Sequence, residues 1–244
     1  MRSLFWCSAV LLLAGCGGGA READPFAYHD APIDIRDRTV YGTSSFATIY
    51  SLDFAGIGNT RVPAYLVVPK APGRHPGVLL LHGSGGSRDD LIGHAGVLSK
   101  HGIVALTITY PNAAATYKPL VVDARRGLDL LAGWPDVDAK RLGVVGFSLG
   151  GQLAAVLAAD DPRPKAVDVI GGRGNSVTLF WIRKAHAKLF FQAGTRDQVV
   201  PHGELQALMR AAPDHPRIRW YPVRHLLSKG IDDDMVAWMT AQLG

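Results

Sequence analysis

From Val78 to the C-terminus, short apolar runs alternate with longer stretches of helical spacing, and this rhythm restricts the chain to few architectures. Val78-Leu79-Leu80-Leu81 is a continuous apolar run, as expected of a strand buried on both faces. Asp89 to Lys100 has helical character, closed by His101-Gly102. Ile103 to Tyr110 forms the next strand before Pro111, and Val121 to Ala132 the next helix before Gly133-Trp134-Pro135. Strands over Arg141–Phe147, Ala166–Ile170, Lys188–Ala193 and Ile218–Val223 continue the series. Helices over Leu149–Ala159, Glu204–Ala212 and Asp232–Gln242 alternate with them. The expected fold class is α/β, a mostly parallel sheet covered by helices on both faces. Upstream, Phe46–Phe54 and Arg61–Val68 flank Gly56-Ile57-Gly58-Asn59 and predict a hairpin as an antiparallel edge.

In such sheets, binding sites form beyond the carboxyl ends of the strands. The residues at those ends are therefore the informative ones. They are His82-Gly83-Ser84-Gly85-Gly86, Ser148, Gly194-Thr195-Arg196-Asp197 and Arg224-His225. Gly146-Phe147-Ser148-Leu149-Gly150 matches G-x-S-x-G between a predicted strand and a predicted helix. Glycines on either side permit a turn too tight for side chains. The helix N-terminus favours negative charge on the serine oxygen. A serine hydroxyl needs a base to remove its proton. His225 is the leading base and Asp197 the leading acid, in the chain order serine, acid, histidine. Glu204 is a weaker acid candidate, and His202 and His215 are weaker bases. The oxyanion of an acyl-transfer intermediate needs backbone donors. One is expected from Leu149 and the other from the glycine loop, at Ser84 or alternatively Gly85.

These motifs resemble those of the α/β-hydrolase superfamily, in its dienelactone-hydrolase-like branch, and those of acyl-CoA thioesterase and bile-acid acyltransferase relatives. The likeness runs from about Tyr41 to Leu243, through HGSGG at His82, Tyr110-Pro111, GFSLGG at Gly146, GTRDQVVP at Gly194 and His225. The resemblance implies an eight-stranded sheet and a Ser148–Asp197–His225 triad acting on esters, lactones or thioesters. The chain departs from it in two places. Position 148 is serine where dienelactone hydrolase itself has cysteine, and Leu226-Leu227 stand where relatives often have glycine and an aromatic residue. Arg173 to Ala187 leaves room for a short excursion and no large cap domain. Phe180, Trp181 and Tyr117 are candidates to line an acyl pocket, but each reads mainly as a packing residue.

The N-terminus reads as an address. Arg2 precedes the apolar run Leu4–Ala14, which is too short to span a bilayer and ends in Leu13-Ala14-Gly15-Cys16. This resembles a bacterial lipoprotein box, which implies lipidation of Cys16 and a membrane anchor on the periplasmic side, with the outer membrane favoured. The expected organisation is a signal peptide over 1–15, a tether and lead-in over 16–43, and the hydrolase domain over 44–244. Cys7 and Cys16 are the chain's two cysteines, so a disulfide framework or catalytic thiol in the domain is excluded. A formal net charge of +5, with no long basic run, argues against nucleic acid as a partner. The spacing of His82, His94 and His101 lacks a metal motif, and no cofactor pattern occurs. The expected activity is a serine hydrolase acting on a small-molecule ester through an acyl-enzyme. Thioesterase, acyltransferase and peptidase chemistry share the same triad. A catalytically silent envelope lipoprotein is the alternative from another class.

Overall fold

The computed structural model describes residues 24–28, 31–58, 60–111, 116–214 and 216–244. Residues 1–15 and Cys16 therefore lie outside the described residues, as does His215. Nine strands form one sheet. They are β1 (Arg36–Thr43), β2 (Ala47–Ala55), β3 (Arg61–Pro69), β4 (His75–Leu81), β5 (Val104–Ile108), β6 (Val137–Phe147), β7 (Pro164–Ile170), β8 (Lys188–Gly194) and β9 (Ile218–Tyr221). Their order is β1-β2-β3-β5-β4-β6-β7-β8-β9. The first three strands run antiparallel to their neighbours, and all pairs from β5 to β9 are parallel. The helices are α1 (Ile92–Lys100), α2 (Tyr117–Gly133), α3 (Leu149–Asp160), α4 (Ser176–Ile182), α5 (His202–Ala211) and α6 (Lys229–Leu243). Among the described residues, no helix is long and apolar enough to cross a membrane.

Two apolar layers sandwich the sheet. Buried side chains of α2, α3 and α5 cover one face, with Leu79, Leu81, Val144, Val167 and Phe191 beneath them. Those of α1 and α6 cover the other, over Val78, Leu80, Val145 and Ile170. β4 is buried along its whole length, which explains its unbroken apolar sequence.

The structure corrects the expected organisation at two points and details a third. The sheet has nine strands, not eight, because Arg36–Thr43 pairs with β2. Much of the lead-in assigned to a tether also belongs to the domain. Phe26 is buried, Tyr28 donates to Asp129, and the guanidinium of buried Arg126 donates to the carbonyls of Ala31 and Pro32 at 2.9 and 2.7 Å. Finally, the excursion after β7 contains α4. Its N-cap Asn175 accepts from the backbone N–H groups of Val177 and Thr178. The Thr178 hydroxyl lies 2.9 Å from the backbone N–H of Asn175 and closes a reciprocal box.

Candidate active site

Ser148 stands between β6 and α3 with φ 57° and ψ −112°. Positive φ is unusual for a residue with a Cβ, costs about 1–3 kcal/mol and persists only where neighbours hold it. Here the ends of β4 and β7 and the first turn of α3 do so. The backbone N–H of Ser148 donates to the carbonyl of Ile170 at the end of β7, at 2.8 Å. The N–H of Gly150 donates to the carbonyl of His82 just past β4, at 3.0 Å, and Ser148 itself accepts from Gln152 at 3.1 Å. Two glycines make this fit possible. A Cβ at Gly146 would lie 2.0 Å from the carbonyl oxygen of Gly150, and one at Gly150 would lie 2.0 Å from that of Leu81.

The turn after β8 supplies the acid. Oδ1 of Asp197 accepts from the backbone N–H groups of Val199 and Val200 at 2.8 and 2.9 Å. That leaves Oδ2 to meet Nδ1 of His225 at 2.6 Å. Burial on its own would raise the Asp197 carboxyl, but the hydrogen bonds from Val200, His225 and Val199 and the charge of a protonated His225 outweigh it, and the group sits below its ordinary value. It is therefore an acceptor throughout the neutral range.

His225 follows β9, and its Nε2 lies 2.8 Å from Oγ of Ser148. With the Nδ1 proton given to Asp197, Nε2 carries the lone pair and accepts from the serine hydroxyl. The ring is packed as well as hydrogen-bonded. Phe147 lies 4.9 Å away on one side, and Gly171 (φ 57°) leaves space that a Cβ would fill to 3.2 Å from Cε1. The structure thus brings Ser148, Asp197 and His225 into one relay, from segments 77 and 28 residues apart.

The glycine loop lies against this relay. A Cβ on Gly83 would stand 3.4 Å from Cβ of Ser148. Ser84 and Gly85 border the same cavity as His225, of about 380 Å3, and Gly85 has φ 79°. Leu149 is the first residue of α3, so its N–H belongs to an open helix N-terminus beside the serine. His82, fully buried, holds the loop. Its Nδ1 donates to the carbonyl of Gly83 at 2.7 Å, and its ring stacks on Tyr110 at 4.0 Å. The Tyr110 hydroxyl donates back to the His82 carbonyl. Burial lowers the pKa of His82, more than its hydrogen bond to Gly83 and the charge of Asp90 raise it, and keeps it a neutral structural prop.

The weaker candidates stay outside the relay. Glu204 lies 3.5 Å from Arg173. Nε2 of His202 is 3.1 Å from the Gly194 carbonyl, and its ring packs on Trp220. Trp181 packs on Phe26 at 5.4 Å, and Phe180 lies under Nζ of Lys184 at 4.2 Å, so both serve a separate cleft beside Asp24. Tyr117 instead joins a triangle beside the elbow. Its hydroxyl donates to Oε1 of Gln152 at 2.6 Å, and Nδ2 of Asn175 donates to both, at 2.9 and 2.7 Å. The sequence analysis missed this network, although Gln152 lies one helical turn past the serine. It also missed His94 and Asp90 as residues lining the cavity beside His225. A separate cavity of about 630 Å3 lies by the starts of β8 and β9, at the opposite ends of the strands and away from all these groups.

Residues 109–229 match the dienelactone hydrolase family. The chain is 29% identical over 117 residues to the 2,6-dihydropseudooxynicotine hydrolase of Paenarthrobacter nicotinovorans, covering 46% of this chain and 32% of that protein. It is 30% identical over 131 residues to the esterase FrsA of Escherichia coli O157:H7, covering 51% of this chain and 32% of the esterase. The matched region thus spans about a third of the length of these relatives. Among solved structures, acetyl xylan esterase 1 from Thermoanaerobacterium sp. JW/SL YS485 superposes with a TM-score of 0.71 at 19% identity, over 88% of this chain and 89% of that one. An acetyl xylan esterase from Paenibacillus sp. R4 gives 0.74 at 19% identity, over 87% and 90%. Strand order, elbow and superposition agree: the chain has the α/β-hydrolase fold, and its residues 109–229 match the dienelactone hydrolase family model.

Proposed function

We propose that the chain is a serine hydrolase that cleaves a carboxylic ester of a small molecule through an acyl-enzyme. The observation that carries this reading is the unbroken relay from the Asp197 carboxylate through His225 to Ser148 Oγ, with contacts of 2.6 and 2.8 Å. Oγ attacks the ester carbonyl while Nε2 of His225 takes its proton. The oxyanion develops where the N–H of Leu149 and that of Ser84 or Gly85 stabilise it. Collapse breaks the bond to the alcohol oxygen, and the alcohol leaves with the proton held by His225. Water, activated by the same nitrogen, then releases the acid and restores the serine. The relatives' names, hydrolase and esterase, support the same class of reaction.

Fluorophosphonate labelling of the purified full-length chain, followed by peptide mapping, tests the reading. An adduct on Ser148 that disappears in His225→Ala, with ester turnover abolished in Ser148→Ala, is the expected result. A folded protein that takes no adduct overturns it. Parallel assays on matched esters, thioesters and peptides separate the ester reaction from other acyl transfers on the same triad.

A further inference from the structure

A second imidazole–carboxylate pair lies beside the relay, and the acyl chemistry does not use it. His94 stands near the start of α1 and Asp232 near the start of α6, and Nδ1 of His94 meets Oδ1 of Asp232 at 2.5 Å. Both helices begin at the carboxyl edge of the sheet, one after β4 and the other after β9, which places the pair on the side of Ser148. His94 and His225 border one cavity of about 380 Å3, a volume within the range of ordinary ligand pockets, ~300–1,000 Å3. Leu91, Phe147 and Leu227 give the cavity an apolar wall, and Asp90 and the glycine-loop backbone give it a polar one.

On that mechanism the leaving alcohol takes its proton from Nε2 of His225, and the cavity that His225 borders with Ser84 and Gly85 is where we place the alcohol portion. Its polar side chains accept hydrogen bonds. Asp232 accepts from Nδ1 of His94, and in the neutral form of the ring that arrangement leaves a lone pair on Nε2. Asp90 presents a carboxylate, and no lysine or arginine is among the described residues that border the cavity. A ligand that meets two acceptors must bring donors. An anionic ligand would face a like charge at Asp90 without a cation to balance it.

We propose that this cavity selects an uncharged alcohol portion carrying at least one hydroxyl beyond the ester oxygen, and that His94, oriented by Asp232, positions that hydroxyl. This rests on the ester-hydrolase reading above and names the substrate class for it. The apolar wall takes the carbon face of such an alcohol, while its hydroxyl donates to Nε2 of His94.

The test compares glyceryl monoacetate with propyl acetate on the full-length chain. The expected parent preference in kcat/KM for the hydroxylated ester is about tenfold, the size of one neutral hydrogen bond. In His94→Leu the ratio falls to about one, through a rise in KM for glyceryl monoacetate. In His94→Gln, which keeps a hydrogen-bonding group near the position of Nε2, part of the preference returns. Asp232→Asn gives an intermediate ratio. A parent ratio near one, a ratio unchanged in His94→Leu, or an equal loss on both esters through kcat overturns the proposal while leaving the ester-hydrolase reading intact. No turnover of either ester, together with no fluorophosphonate adduct on Ser148, removes that reading and this one with it.

Discussion

Replacing Asp197 by asparagine probes the relay with little change of shape. Oδ1 faces two backbone N–H donors, from Val199 and Val200, so the asparagine oxygen must stay there, since an amide NH2 would oppose both donors. The amide nitrogen then takes the place of Oδ2, 2.6 Å from Nδ1 of His225. It can only donate, so Nδ1 must offer a lone pair and the ring proton moves to Nε2. A proton on Nε2 points at Ser148 Oγ and cannot accept the serine hydrogen. The imidazole stays in place in the wrong tautomer. In a serine protease triad, the analogous change lowers kcat about 10⁴-fold. At about 1.4 kcal/mol per decade that is ~5–6 kcal/mol of transition-state stabilisation. We expect a loss of 10³- to 10⁴-fold in kcat/KM on p-nitrophenyl acetate at pH 7.5, with a melting temperature within a few degrees of the parent, because both backbone hydrogen bonds to Oδ1 survive. A folded variant that keeps activity within tenfold of the parent would refute the relay as the source of nucleophilicity.

Two further predictions concern stability. A Cβ at position 150 would sit 2.0 Å from the Leu81 carbonyl oxygen, so Gly150→Ala must force the elbow away from β4. We expect a loss of about 3 kcal/mol or more in urea unfolding and at least a hundredfold loss of turnover, and a normal melting curve would contradict the packing described. Asp123, buried in α2, has its carboxyl raised from 3.8 to about 6 by burial, against the hydrogen bond from the Ile57 N–H. A raised folded-state value favours folding fully below about pH 4, and this contribution is lost as pH rises through about 6. A shift of about 2 units at ~1.4 kcal/mol each is ~3 kcal/mol. In Asp123→Asn the decline in unfolding free energy between pH 4 and pH 7 should be smaller than the parent's by up to this amount, measured by urea melts across the range. Equal declines in the two proteins would contradict it.

The legible parts of the sequence are those where a local pattern and the tertiary environment agree. β4 and the apolar part of β6 could be read because a strand buried on both faces must be apolar throughout. Ser148, Asp197 and His225 could be read because each follows a strand, and the sheet's geometry then brings the three strand ends to one edge. β1 could not be read in this way. Its side chains are nearly all exposed, so it carries no alternation, and its pairing with β2 is interrupted by register shifts next to Asp37, which has φ 51°. α4 did leave a signal, Asn175 with Thr178 three residues on, but the helix is only seven residues long and its apolar stretch resembles loop packing. His94 and Asp232 are 138 residues apart, and their meeting depends on the packing of α1 against α6, which no local pattern encodes.

From β6 onward, the strands occupy the sheet in the same order as they occur in the chain, β6-β7-β8-β9, each beside the one before it. The sheet can therefore grow on this side by successive addition at an open edge. Ser148, the proposed nucleophile, lies at the start of that series, Asp197 after the third strand, and His225 after β9. A nascent or truncated chain that has formed the elbow but lacks β9 would hold a strained serine with no base beside it, chemically inert. On the proposed mechanism, turnover requires β9 in place, and its regain during refolding would time the closure of the sheet's far edge, where bulk secondary structure would report the earlier steps.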